Sequence, residues 1–264
     1  MALTRTQRKR MFRGIQYLIG LVVVVIVALL IDWPVFVKAW FNLDIAWQMF
    51  PDVLATGLVN TLLYTALGFT FGIALAIVLA LMRLSSIKVY RAVAMAYIEL
   101  FRGLPALAVL VIIAYGLPRA FPGFKFPGDT LGQVAVGLGV TAAAYMAETL
   151  RAGIQAVPKG QVEAARTLGM SPGRTMVTIV LPQALRIVIP PLTNEIILLV
   201  KDSSLVYILG VTTDQYELTK YGQSAINEFA SVTPLTVIAV LYLFITLPLS
   251  WLVRRLERRH AKAR

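Results

Sequence analysis

The sequence predicts an all-α protein that crosses a membrane six times, and three observations carry that reading. Of its 264 residues 58% are hydrophobic and only 14% are charged. The mean hydropathy of +0.77 is well above that of a soluble domain of this length. Apolar runs approaching the roughly 20 residues a helix needs to span a bilayer lie at Gly14–Ile31, Leu54–Met82, Val93–Leu117, Leu131–Ala152, Ile187–Val211 and Leu235–Val253. The third observation is where the charges fall. With the N-terminus inside, the inner segments Met1–Arg13, Arg83–Arg91, Arg151–Arg186 and Arg254–Arg264 hold five, three, five and six Lys or Arg, while the outer loops together hold Lys38, Arg119, Lys125, Lys201 and Lys220. This is the positive-inside pattern. A formal net charge of +12 therefore reports topology, with both termini cytoplasmic, and gives no support to a nucleic-acid partner.

What is missing narrows the chemistry. The chain has no cysteine and a single histidine, His260 in the basic tail, so thiol nucleophiles, cysteine metal sites and histidine-based catalysis are not available to it. An enzyme is hard to assemble from what remains, and no metal site or catalytic group is expected.

Taken in order, the first run follows a basic stretch, "RTQRKRMFRGIQYLIGLVVVVIVALLIDW". Its apolar part is long and lacks a small-x-small cleavage site, so it reads as a retained helix rather than a signal peptide. Trp33, Trp40 and Trp47 then recur every seven residues, which would place them on one face of a helix at the outer interface, where an indole finds both apolar and polar surroundings. In the second run, Gly68 and Gly72 in "GFTFG" would let a neighbouring backbone approach closely.

The third run is interrupted by "ELFRGLPALAV". Glu99 and Arg102, one turn apart, are expected to pair, because a lone charge in a bilayer is expensive. Either they anchor the helix near the cytoplasmic face or they wall a gate, with the Gly103–Leu104–Pro105 break freeing backbone groups that only protein or a cavity could satisfy. Glu148 in the fourth run shares a face with Tyr145 and lies one turn above Arg151. In the fifth run Asn194 and Glu195 sit within the apolar stretch, and Lys201, Asp202 and Ser203 follow further out. Each would be costly against lipid, so they should face protein or a water-filled path.

Between the fourth and fifth runs lies a polar segment, "EAARTLGMSPGRTMVTIVLPQALR" from Glu163 to Arg186, with the spacing E-A-A-x3-G-x9-I-x-L-P. Good helix formers run up to Gly169, which can end the helix in a left-handed conformation. Ser171 before Pro172 is a plausible N-cap and first-turn proline, and Pro182 interrupts or kinks the next helix. Two short helices at an angle should therefore project into the cytoplasm. There Ala164 and Ala165 would permit close docking of a partner and Glu163 would offer a charged contact.

That spacing, with "YIELFRGLPALAVL", "AETLRAGIQAVPKGQVEAARTLGMS", "IVLPQALRIVIPPLTNEIILLVKDSSLVYILGV" and "SWLVRRLERR", resembles the membrane subunits of ATP-binding-cassette importers, and more narrowly the permeases for polar amino acids. The resemblance covers roughly Leu54 to Arg259. It implies the permease core of a type I importer, commonly five spans, to which this chain adds an N-terminal helix. The organisation it implies is a tail, extra helix and Trp-rich segment over residues 1–53, a permease domain over 54–254 with its coupling loop at about 153–186, and a basic tail over 255–264.

The same resemblance implies that Glu163, Ala164, Ala165 and Gly169 form the coupling helix and turn seated in a cleft of an ATPase subunit. Two such ATPases, a second permease subunit, identical or related, and an external solute-binding protein would complete the importer in a prokaryotic cell membrane. No G-x4-G-K-[ST] loop is present, so ATP and magnesium are expected on the partner subunits and no cofactor on this chain. Glu99, Arg102, Glu148, Asn194, Glu195, Lys201 and Asp202 are the candidate pathway or gate residues for an amino acid zwitterion. Subfamily resemblance leans toward acidic or amide side chains. The alternative is a secondary transporter driven by an ion gradient, which also carries paired charges and broken helices but has no need of the E-A-A segment.

Overall fold

The computed structural model describes residues 5–261, and within them the chain is helical with no strand. Helix α1 (Arg5–Leu30) is basic in its first turns and apolar on every side beyond them, and none of its described side chains is buried. It stands apart from the core of the chain. The tryptophan segment that follows is two short helices rather than one. Asp32 caps α2 (Trp33–Trp40) by accepting from the Val35 amide, and Asn42 caps α3 (Leu43–Met49) by accepting from Asp44 and Ile45. The Asn42 side chain competes with helix continuation, so Trp33, Trp40 and Trp47 do not share one helical face. All three remain exposed.

A π-helical turn (Val53–Leu58) leads into α4 (Val59–Leu84), which packs along α8 (Thr130–Gln155). Gly68 and Gly72 allow this contact. A Cβ on Gly72 would lie 3.2 Å from the Gly139 carbonyl oxygen, and one on Gly68 would lie 3.1 Å from the Leu138 Cβ. With Gly137, Gly139, Ala142, Ala143, Ala144 and Ala147 all buried, α8 is the small-residue axis on which the other spans close.

Between these two helices, α5 (Lys88–Gly103) and α6 (Ala106–Val111) are bent by 110° at the Leu104–Pro105 break. α6 continues through a π-helical stretch into α7 (Leu117–Ala120). The proline cannot donate and forces its predecessor into extended geometry. Leu104 accordingly has φ −97° and ψ 143°. The expected interruption is thus a sharp corner.

After α8 come α9 (Lys159–Thr167) and α10 (Pro172–Thr175), a π-helical turn (Met176–Val180) and α11 (Leu181–Asp202). From Pro172 to Leu209 the run is one continuous 38-residue helical span. Pro182 therefore neither breaks nor separates a second short helix, because the wider π-helical turn accommodates its missing donor. A 3₁₀ stretch (Ser203–Leu209) ends at the left-handed Gly210. Then come α12 (Leu218–Phe229) and the closing α13 (Thr233–Ala261). Among the described residues five helices are long and apolar enough to cross a membrane, or six if the bent α5–α7 pair counts as one. The main core joins Tyr64, Leu79, Leu110, Leu138, Met146 and Leu199, and a smaller one at the other end joins Met49, Val53, Leu218 and Ile238.

Candidate functional site

Two features lie between α8 and α11, a projecting turn at one end and a polar cavity further along. The turn begins where Pro158 starts α9. At its far end the Met170 amide donates to the Ala165 carbonyl and the Gly169 amide to Arg166, the paired bonds of a Schellman motif. Gly169 has φ +82° with open space where a Cβ would stand, so it is the backbone conformation, not crowding, that calls for glycine there. Arg166 also donates to the Met170 carbonyl, and the Ser171 hydroxyl accepts from the Arg174 amide to start α10. The projection rests on its own small core of Val157, Val180 and Ala184 flanked by Ile154 and Val162.

Glu163 and Ala164 are exposed on this turn, but Ala165 is 5% exposed. Its small side chain serves packing within the chain rather than docking, which corrects the expectation drawn from the sequence. The apolar residue the turn does display is Leu168, at 84% exposure. Sequence reasoning passed over it, since only the left-handed Gly169 next to it turns that side chain outward.

The cavity encloses about 250 Å³. Its walls are Leu104 and Ala106 from the α5–α6 corner, Thr141, Ala142 and Tyr145 from α8, and Glu195, Leu198, Leu199 and Asp202 from α11. Of the charged residues singled out in the sequence, Glu195 and Asp202 meet here. Glu99 and Arg102 do not form the expected pair. The Arg102 guanidinium instead lies over the Tyr145 ring, 5.5 Å from its centroid, and the Tyr145 hydroxyl donates to the Arg102 carbonyl at 3.4 Å. Tyr145 offers both a π face and a donor one helix away, so Arg102 is drawn to the cavity's edge, leaving Glu99 exposed.

Glu148 is paired with Arg151, whose Nε donates at 2.9 Å, and Arg151 also donates to Gln155. This ladder neutralises Glu148 within α8, below the cavity. Asn194 and Lys201 are exposed and outside the lining.

Two polar groups escaped the sequence reading. Thr141 is 8% exposed and its Oγ1 has no hydrogen-bond partner, although it lines the cavity. Glu217, outside the spans, is fully buried. Its carboxylate accepts from the Thr219 and Lys220 amides at 2.6 and 2.7 Å and from the Tyr242 hydroxyl at 3.1 Å, capping α12. Burial pushes its pKa up to about 7 against these bonds, which favour the charged form. Only the fold reveals such groups, because a threonine or a glutamate beside helix formers carries no periodic signal.

Comparison with known proteins identifies the family and the fold. Residues 68–262 match the family model described as binding-protein-dependent transport system inner membrane component. The chain is 35% identical over 222 residues to the probable glutamine ABC transporter permease protein GlnM of Bacillus subtilis (strain 168), covering 84% of this chain and 99% of that one. It is 37% identical to the arginine transport system permease protein ArgU of Corynebacterium glutamicum, covering 84% and 73%. Among solved structures, a crystal structure of an amino acid ABC transporter with histidines superposes with a TM-score of 0.71 at 35% identity, covering 81% of this chain and 96% of that one. A bacterial transporter for the import of alginate shares the fold, with a TM-score of 0.66 at 15% identity.

Proposed function

The chain belongs to the family of binding-protein-dependent transport system inner membrane components, and from that membership we propose that it moves polar amino acids into the cell by ATP-driven alternating access. It is a multi-pass membrane protein and a permease of an ABC importer. In this reading both termini are cytoplasmic, α9 and the Gly169 turn dock into separate ATPase subunits that bind ATP and magnesium, a second permease completes the pore, and a solute-binding protein delivers the amino acid from outside.

One observation carries the proposal: the projecting turn connects the same two helices that wall the cavity. α8 enters it at Val157 and α11 leaves it through α10 and the π-helical turn. Near the turn, Gly153 of α8 sits against Val188 of α11, so close that a Cβ would lie 2.0 Å from the valine Cγ1. A displacement of α9 by an ATPase would reach both α8 and α11, and with them Tyr145, Glu195 and Asp202. Rigid elements held in direct contact can transmit such a movement as a change between two packed arrangements. Closing of the ATPases would open the cavity outward, and reopening after hydrolysis would release its contents inward.

The test is ATP hydrolysis by the assembly in lipid, with binding protein and a panel of amino acids, for the wild type and Glu163→Arg. The expected result is hydrolysis stimulated by a particular amino acid in the wild type, and stimulation reduced by about tenfold or more in the variant, with or without loss of the ATPase subunits. If no ATPase associates with the wild-type chain, the projecting turn is only a loop and the proposal fails.

A further inference from the structure

We infer that the basic first turns of α1 form a binding surface for the headgroups of anionic phospholipids, on the side of the membrane where the chain begins. α1 lies outside residues 68–262 matched by the family model, and the inference does not depend on what the permease carries.

The sequence sets up an unbalanced charge there. From Met1 to Ile31 it places Arg5, Arg8, Lys9, Arg10 and Arg13 and no Asp or Glu, and the first acidic residue is Asp32, beyond the far end of the helix. Among the described residues Arg5, Lys9, Arg10 and Arg13 are exposed and none of them is in an ion pair. The basic end of α13 is different. Glu257 stands among Arg254, Arg255 and Arg258, and the Arg255 guanidinium lies over the Trp251 ring, 5.2 Å from its centroid. The cations of α1 have no such partner among the described residues.

Helix geometry sets the depth of this charge in the membrane. Residues 14–30 carry no charge and make roughly 26 Å of helix, close to the ~30 Å of a bilayer's hydrocarbon core. With that stretch in the hydrocarbon, Arg13 falls at its boundary. Lys9 and Arg5 follow at intervals of four residues, about 6 Å each, through the headgroup layer. The same spacing brings all three onto one face, where Arg5, Lys9 and Arg13 line an open cleft together with Phe12. No other element encloses α1, so lipid is what stands against this face.

The cleft matches a phospholipid group for group. The arginine guanidiniums can hold phosphate oxygens with paired donors, and the lysine adds a point charge. Phe12 offers an apolar surface at the level where headgroup gives way to acyl chain. A zwitterionic headgroup brings its own cation to such a site, whereas an anionic one does not, so each Lys or Arg near the surface favours the anionic lipid.

The test is fluorescence quenching in the full-length chain, reconstituted in nanodiscs of mixed phosphatidylcholine and phosphatidylglycerol. The chain has no cysteine, so Met11→Cys, at an exposed position beside the cleft, carries a single fluorophore. Spin-labelled phosphatidylglycerol or phosphatidylcholine of the same acyl chains is the quencher. Phosphatidylglycerol is expected to associate about tenfold or more strongly than phosphatidylcholine, with a preference that shrinks as salt is raised from about 0.1 to about 1 M. Arg5→Gln/Lys9→Gln/Arg13→Gln should bring the two lipids close to parity. Arg254→Gln/Arg255→Gln/Arg258→Gln should leave the preference unchanged, as should millimolar inorganic phosphate.

Equal quenching by the two lipids in the wild type, or a preference that survives the triple variant on α1, would overturn the assignment. So would a preference lost to the same extent in the α13 variant, which would make it a property of total charge, or one abolished by inorganic phosphate, which would make the cleft a site for a soluble anion. The wild-type comparison decides the matter even if the α1 variant fails to insert.

Discussion

Glu217 shows how a single residue can set a condition on the fold. Its carboxyl binds a proton more tightly in the folded chain, where burial raises its pKa from 4.5 to about 7, than in the unfolded chain. Its stabilising contribution is therefore complete below about pH 4.5 and is lost as pH rises through about 7. The groups facing it are the Tyr242 hydroxyl, itself bonded to the Thr219 hydroxyl, and the Thr219 and Lys220 amides. Melting temperature measured across that window should fall as pH rises in the wild type, by roughly a few degrees for a chain of this size. In Glu217→Gln this component of the slope should vanish; equal slopes in the two proteins would show that the buried carboxyl does not titrate there. Single residues were unevenly legible in the sequence. Gly169 and Ser171 act as their local chemistry requires, because a helix stop and an N-cap are decided within a turn of chain. Ala165, Arg102 and Thr141 depend on what stands opposite them, and the sequence alone does not say what that is.

At the scale of elements, α8 and α11 form the unit through which the projecting turn and the cavity are joined. The Gly153–Val188 contact pins them near the turn. Gly153→Ala places a methyl against a β-branched side chain with few rotamers, overpacking the contact by ~1–3 kcal/mol. Amino-acid-stimulated ATP hydrolysis should drop in Gly153→Ala and recover in Gly153→Ala/Val188→Ala, where the facing methyls are removed. A double variant as impaired as the single one would mean that the glycine matters for another reason. The elements themselves were legible wherever a long apolar run fixed them, and the close approach of α4 to α8 was legible in Gly68 and Gly72. The 110° corner between α5 and α6 could be placed at Gly103–Pro105 but not measured. The tryptophan helices and the continuous passage through Pro182 were misread, since a side-chain cap at Asn42 and a π-helical turn both override the simple period of the sequence.

For the molecule as a whole, the helices that wall the cavity continue into the projecting turn, which in the proposed reading is where an ATPase acts on it. α1 adds an apolar helix that none of the core encloses, and α12 with the buried Glu217 closes the opposite end. In the proposed reading a partner supplies the energy through the projection, for which an ion-gradient carrier would have no use. The most direct measurement is uptake of labelled amino acid into proteoliposomes holding the complete assembly, with ATP enclosed or omitted and with an ionophore added or withheld. Uptake should require enclosed ATP and persist when the ionophore collapses every ion gradient. Uptake that proceeds without ATP and stops with the ionophore would contradict an ATP-driven permease and identify a secondary transporter.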